Sequence, residues 1–317
     1  MRFAIVTRDE LWESGGLREE RLSYGEAIAR DGAIAATDAL DSELLRAVDG
    51  AISLTRPFAT LRATLTPLRR GEGLRIVVSA RRAGDSIITE AVVVVSAMEL
   101  SVVTSPGHLE ADLEWIRSIA AERPALSIDD HRNLPIVWRH GSGAVLLHEA
   151  AGHPAEHRKE RVEWPGWLTV TDEPPFDTDD TGRPARAVDL LGGGEPSAKR
   201  RASFRDVPLT RLSNVVVRQS GAPFDLPSHR IDVLLVGGGA YDPLTDAVTI
   251  RVVASDLIEG ERSQRLAPFT ITESRPSIAR AVRGAGGEPQ RYPGVICSTE
   301  GQEIAVGSHA PLLLTRF

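Results

Sequence analysis

Residues 146–157 read LLHEAAGHPAEH and place three histidines and two glutamates directly after an apolar run. His148 and His153 are five positions apart, whereas the familiar zinc-protease helix spaces its histidines four apart. On a regular α-helix, five residues rotate a side chain by roughly 140°, so these two histidines would face apart. A single wide π-type turn would return them to one face. We predict such a turn at Gly152, because glycine loosens a helix end easily.

A second pairing of histidines stays open at this point. His153 and His157 are four apart, although Pro154 between them fits only the start of a helix. The His-Glu-(x)3-His pattern from His148 to His153, behind an apolar run, favours a metal site over histidines that only pack or face solvent.

The flanking sequence predicts a strand, a turn and a helix around this motif. LPIVW reads as the strand, RHGSG as the turn, and the helix begins at Ala144. Strands are predicted further along the chain for RLSNVVVRQ, RIDVLLVGGG, DAVTIRVVASDLIE and IAVGSHAPLLLTRF. Residues 190–206 read as a flexible basic loop, which is typical of a solvated surface turn.

The N-terminal part mixes helices and strands. DALDSELLRAVDGAI reads as a helix, LRIVVSARR as a strand, and residues 105–124 as a helix capped by Ser105. RPALSIDDHRNLP has a proline near each end and charges between them, which is typical of a linker. We therefore predict an α+β fold of two domains. A mixed α/β domain spans residues 1–127, and a β-rich domain with the metal-binding helix spans residues 128–317.

Composition narrows the function classes. The 317 residues carry a formal net charge of -7, so nucleic acid is not expected as the main partner. No uncharged apolar stretch of about 18 residues occurs, so no membrane span is expected. Charge appears too early at the N-terminus for a signal peptide. Cys297 is the single cysteine, so no internal disulfide can form, and a reducing cytoplasm is the expected location.

The segment LPIVWRHGSGAVLLHEAAGHPAEH resembles the core of the TldD/PmbA family of metallopeptidases. Three further segments match the family in order: DDTGRPA, PSAKRRASFRDVPLTRLSNVVV and GVICSTEGQEIAVGSHAPLLL. The resemblance covers residues 134–317. The chain departs from the family at residues 190–197, which replace a longer segment.

The resemblance implies a zinc-dependent peptidase that hydrolyses unstructured peptides. A catalytic zinc needs three protein ligands and one open position. We assign these ligands to His148, His153 and Cys297, the last because it falls on the family's motif position. Glu149 is the expected general base. The oxyanion donor stays open among four candidates, which are His309, Tyr241, Arg211 and His157.

Partners and alternatives follow from the same resemblance. We expect a flexible peptide as substrate, held by main-chain hydrogen bonds along the edge of RLSNVVV or of a later strand. A dimer is expected, either with a second copy or with a TldE/PmbA-like chain. Two other functions stay open: a subunit of a TldD/TldE-like heterodimeric protease, and a zinc enzyme that tailors one peptide natural product.

Overall fold

The computed structural model describes most of the chain. The described residues are 2–13, 16–30, 33–37, 42–50, 74–83, 86–95, 100–104, 108–120, 124, 126–202, 206–221 and 224–317. The predicted helix cap at Ser105 lies outside them. Among these residues, no helix is both long and apolar enough to cross a membrane.

Helices are few and short in the described part of the chain. They are α1 at residues 42–50, α2 at Leu109–Ala120, α3 at Gly143–Leu147, α4 at His153–Glu156 and α5 at Arg275–Ala281, with a 3-10 turn at Asp129–His131. Leu44 and Val48 of α1 are fully buried, as the apolar face of the predicted helix requires.

Strands make up most of the described structure. The N-terminal strands are β1 (Arg2–Glu13), β2 (Gly16–Arg30), β3 (Ala33–Thr37), β4 (Leu74–Ala83), β5 (Ser86–Val95) and β6 (Leu100–Thr104). The others are β7 (Ile136–Trp138), β8 (Leu168–Asp172), β9 (Val188–Asp189), β10 (Lys199–Arg200), β11 (Leu209–Thr210), β12 (Asn214–Gln219), β13 (His229–Asp242), β14 (Ala247–Glu259), β15 (Arg262–Leu266), β16 (Phe269–Ser274), β17 (Val282–Thr299) and β18 (Gln302–Thr315). This strand-rich α+β architecture confirms the predicted fold class.

Sixteen of the described strands belong to one sheet. Its main path runs β15-β14-β13-β7-β18-β17-β6-β5-β4-β1-β2-β3, with β12, β8, β9 and β16 paired off this path. Most neighbours are antiparallel, whereas β12 with β18 and β13 with β7 are parallel. The sheet crosses the predicted linker, because Gly294 of β17 pairs with Val103 of β6. The division at residues 127 and 128 stays a prediction.

The core lies under the C-terminal strands and around α3, all five residues of which are buried. In β14, Val248, Ile250 and Val252 are buried while the residues between them are partly exposed, because successive side chains of a strand point to opposite faces. Trp138 of β7 is fully buried, and its indole N–H donates to the Thr315 hydroxyl at 3.0 Å. These contacts place the short β7, and hence the start of α3, firmly against the sheet.

The structure narrows one expectation about this part of the chain and overturns another. β12 pairs with β18 at residues 214–216 on one side and with β8 at residues 215–219 on the other, so only residues 217–219 keep an edge without a strand partner in the described structure. Arg200, in the predicted solvated loop, is 1% exposed and donates to the carbonyls of Ala305 and Leu212 at 2.7 and 3.3 Å. Partners distant in sequence override the local preference in both cases.

Candidate metal centre

The helix that carries the histidine motif changes its winding midway. Gly143–Leu147 is α-helical, His148–Gly152 forms a π turn, and His153–Glu156 is α-helical again. The N–H of His153 donates to the carbonyl of His148, five residues earlier. The two imidazole rings lie 4.7 Å apart between centroids, at 89° to each other. The predicted π turn is confirmed, and it brings histidines five residues apart onto one face.

Gly152 contributes space rather than backbone freedom. Its φ of -69° and ψ of -62° lie in the right-handed helical region, which any residue adopts. A Cβ at this position would collide with Cδ1 of Leu212, a fully buried side chain. The reason given from sequence, that glycine loosens the helix, is therefore corrected: Gly152 allows the helix to approach Leu212 closely.

Cys297 reaches the two histidines from β17. Its Sγ lies 3.4 Å from Nε2 of His153, and one donor atom from each of His148, His153 and Cys297 lies within 4.8 Å of the others. A sulfur and a nitrogen on one tetrahedral zinc ion would be roughly 3.6 Å apart. The spacing of Cys297 and His153 therefore fits a shared metal ion.

Burial and unpaired atoms also fit a metal ion. His148 and Cys297 are 1% and 4% exposed, and Nδ1 of His148 has no hydrogen-bond partner among the described residues. Leaving a buried polar group unpaired is costly, so the polar groups of this cluster call for a partner. Two nitrogens and one sulfur can hold such an ion and leave a fourth position for water or substrate.

Glu149 lies beside this cluster. Its Oε2 is 3.6 Å from Nε2 of His153, and it has no hydrogen-bond partner in the described part of the chain. A Cβ at Gly239 of β13 would lie 2.5 Å from Cγ of Glu149, so only glycine leaves room for this carboxylate. Burial raises the pKa of Glu149 to about 7, an effect that the charge of His153 opposes and that of Glu156 reinforces.

The two histidines differ in their protonation. Burial lowers the pKa of His148 well below its ordinary value, so this ring is neutral, as a metal ligand must be. Burial also acts to lower the pKa of His153, but hydrogen bonds with Cys297 and Glu156 outweigh it and raise the pKa to about 11. Metal binding must therefore displace a proton from His153.

Glu156 is a site residue that the sequence reasoning missed. Its Oε2 contacts Nδ1 of His153 at 2.6 Å, and its Oε1 accepts the N–H of Leu212 at 2.8 Å. A carboxylate on the far nitrogen of a ligating histidine fixes the ring's orientation. The three-residue spacing from His153 was the available signal, since residues three apart share a helix face.

Arg211 holds the strand that carries Cys297. The arginine is fully buried, and its Nη2 donates to the carbonyl of Cys297 at 2.6 Å, while Nη1 donates to that of Gln302 at 3.4 Å. Arg211 and its neighbour Leu212 therefore connect the two segments that carry the ligands. Arg211 binds β17 at Cys297, and the N–H of Leu212 binds Glu156 at the end of the histidine-bearing helix.

The other candidate oxyanion donors make contacts outside the cluster. His309 pairs its Nδ1 with Asn214 at 3.0 Å, and the Tyr241 hydroxyl donates to Asp246 at 2.8 Å. The ring of His157 lies 6.1 Å from that of Tyr241. The choice among the four candidates therefore stays open, with Arg211 already engaged by two carbonyls.

Comparison with known proteins identifies the fold. No family model and no curated protein matches the chain. TldE from Thermococcus kodakarensis is similar in structure, with a TM-score of 0.53 at 11% identity over 99% of this chain and 95% of that one. Two proteins described as candidate modulators of DNA gyrase are also similar. The one from Thermotoga maritima has a TM-score of 0.47 at 8% identity over 99% and 94% of the two chains. The one from Bacteroides thetaiotaomicron has a TM-score of 0.47 at 12% identity over 100% and 94%.

The likeness to TldE extends over nearly the whole of both chains. The chain therefore has a TldD/TldE-like fold, including the N-terminal strands that the sequence resemblance did not cover. Within that fold lies a buried cluster of two histidines and a cysteine that can hold a metal ion.

Proposed function

We propose that this protein is a zinc-dependent peptidase that hydrolyses unstructured peptides. The observation that carries the proposal is the π turn, which sets His148 and His153 beside Cys297 and leaves the Glu149 carboxylate 3.6 Å from Nε2 of His153. Metal ligands with an adjacent buried carboxylate are the parts that metal-assisted hydrolysis requires.

Each group has one role in the proposed reaction. Zinc, held by His148, His153 and Cys297, would supply a Lewis acid and would lower the pKa of water to ~7. Glu149 accepts a proton from the attacking water and then delivers it to the leaving amine. A pKa of about 7 suits both steps, since the carboxyl group can take up and release a proton near neutrality.

The open edge of β13 is the proposed place for the peptide. β7 pairs with β13 only from Ile231 to Val233, and the Tyr292 hydroxyl bonds both the N–H and the carbonyl of Val236, so the open stretch is residues 237–242, which have β14 as their one strand partner in the described structure. Gly239 on this stretch lies against Glu149. An extended peptide can add main-chain hydrogen bonds to such an edge, which a folded protein cannot supply. β13 is one of the later strands that were expected, besides RLSNVVV, to offer such an edge.

We place the protein in a reducing cytoplasm, where Cys297 stays a thiol available to the metal. The likeness to TldE supports a role in a TldD/TldE-like pair, with this chain as the metal-binding member.

The decisive experiment combines peptide cleavage with metal analysis. Zinc-loaded protein should cleave a quenched fluorescent peptide that has no stable structure, and a chelator should stop the cleavage. Glu149→Gln should reduce kcat by ~10²–10⁴-fold while zinc content stays unchanged, because an amide cannot accept the proton of water.

Glu163→Gln is the matched control, since it makes the same change at an exposed position outside the cluster. It should cleave the peptide at the wild-type rate. Wild-type activity in Glu149→Gln, or cleavage that survives metal removal, would overturn the proposed mechanism.

A further inference from the structure

A cavity lies on the side of the metal-binding helix that faces away from the histidine–cysteine cluster. It encloses about 290 Å³ and is lined by Ala150, Ala151, Pro154 and Ala155. These helix residues alternate with those that face the metal cluster. An occupant of the cavity would contact the π turn without reaching the metal ligands.

The cavity is rich in positive charge although the chain as a whole is acidic. Four cationic side chains line it against two carboxylates: Arg158, Lys159, Arg161 and Arg275, against Glu160 and Glu195. Three of these cations are engaged. Arg158 pairs with Glu195 at 3.0 Å, Nε of Arg275 pairs with Asp246 at 2.9 Å, and Nζ of Lys159 donates to the carbonyl of Pro243 at 2.5 Å. The uncompensated charge is therefore small, which suits a singly charged anion.

Arg275 is the group best placed to bind that anion. Only 8% of the residue is exposed, and its Nε donates to both carboxylate oxygens of Asp246, at 2.9 and 3.2 Å. Its two Nη groups make no hydrogen bond within the described residues, although the side chain lines the cavity. A planar guanidinium with two free nitrogens matches the two oxygens of a carboxylate.

Apolar side chains supply the rest of the wall, among them Trp164, Leu190 and Leu191. The volume is slightly below the range for drug-sized ligands, so the occupant is small. We propose that this cavity binds a small organic carboxylate, with its oxygens on the Nη groups of Arg275 and its apolar body against Trp164. The site is separate from the metal cluster and does not depend on the peptidase proposal.

Calorimetric titration of the full chain tests the proposal with three probes. Phenylacetate represents a free organic acid, and N-acetyl-L-leucine represents the C-terminus of a peptide. N-acetyl-L-leucine amide has the same body without the charge. We expect one or both acids to bind at millimolar concentration or below and the amide not to bind. The tighter acid then indicates whether free acids or peptide ends are the natural source.

Three variants localise the binding. Arg275→Met should weaken the binding of the acid by roughly tenfold or more, because the hydrogen bonds between the guanidinium and the carboxylate are lost. Leu191→Trp should block the cavity while every charge remains. Arg265→Met is the matched control, since Arg265 is also 8% exposed and also pairs with an aspartate, Asp256. It should bind the acid as the wild type does.

Binding should also change tryptophan fluorescence, and Trp164→Phe should remove that change. Treatment with a chelator should leave the affinity unaltered, since the cavity is on the other side of the helix. Equal binding of acid and amide, no binding of either acid, or wild-type affinity in both Arg275→Met and Leu191→Trp would overturn the proposal. Loss of binding on metal removal would overturn it too, because the acid would then be a ligand of the metal.

Discussion

Cys297 is the residue on which the proposed metal site depends most. Cys297→Ala removes one of three donor atoms and little volume, so the fold should persist while zinc affinity falls sharply. Competition with a chelator of known affinity measures the change. One-to-one zinc binding as tight as in the wild type would contradict the assignment, and His157 would then be the ligand to test.

Glu149 gives the metal-free protein a pH-dependent stability. Its pKa in the folded chain is about 7 against an ordinary 4.5, so the folded state holds the proton more tightly than the unfolded state does. The charged carboxylate therefore destabilises the fold by on the order of 3 kcal/mol above pH 7, and by nothing below pH 4.5.

Glu149→Gln should remove this penalty. Urea unfolding of the metal-free variant should show a higher free energy of unfolding than the wild type above pH 7, and equal values below pH 4.5. Glu163→Gln retains Glu149 and should therefore follow the wild type at both high and low pH. A variant that is no more stable than the wild type at high pH would contradict the buried, charged state assigned to Glu149.

The sequence predicted individual site residues unevenly. His148, Glu149 and His153 lie in one local pattern, and the family resemblance added Cys297 from a distant strand. Glu156 was missed although it lies only three residues from His153, which it contacts. The contacts of Leu212 with Glu156 and of Arg211 with Cys297 join residues far apart in the chain. Local patterns carry no information about such contacts.

At the level of the element, the π turn depends on close packing at Gly152. Gly→Ala inside a helix normally stabilises a protein by roughly 0.5–1 kcal/mol. Gly152→Ala should instead destabilise by about 1–3 kcal/mol and weaken zinc binding, because its Cβ meets the buried Leu212. Thermal unfolding and a chelator competition measure the two effects.

Gly166→Ala is the control for this prediction, since a Cβ there meets nothing within 4 Å. It should leave both stability and zinc affinity unchanged. A stabilised Gly152→Ala variant with normal zinc affinity would show that the close approach to Leu212 is not needed.

Element types were easier to predict than strand neighbours. The strands β4, β7, β12, β13, β14 and β18 each follow a local apolar pattern, and all were expected. The position of β12 between β18 and β8 was not, because pairing depends on the whole topology. The choice between the edge of RLSNVVV and that of a later strand therefore stayed open in the sequence, and in the structure β13 has the open stretch beside Glu149.

At the scale of the whole molecule, one sheet joins the N-terminal strands to the part that carries the metal cluster. The predicted α+β class is confirmed. The path of the sheet could not be predicted, since strands distant in sequence, such as β7 and β18, become neighbours through long-range pairing. The N-terminal strands complete a fold that matches TldE over 99% of this chain.

Assembly is the remaining prediction at this scale. The proposed cleft is open along β13, and the N-terminal third is too small to cover a long bound peptide alone. The TldD/PmbA resemblance of residues 134–317 implies a dimer. Light scattering should therefore give a mass of about twice the 34.2 kDa of one chain, either for the protein alone or after mixing with a TldE-like chain.

Peptidase activity per chain should depend on the dimer fraction, because the second chain closes the cleft. The activity should fall when dilution dissociates the dimer and return when the protein is concentrated again. A protein that scatters as a monomer and cleaves at its full rate in that state would exclude a dimer as the working form.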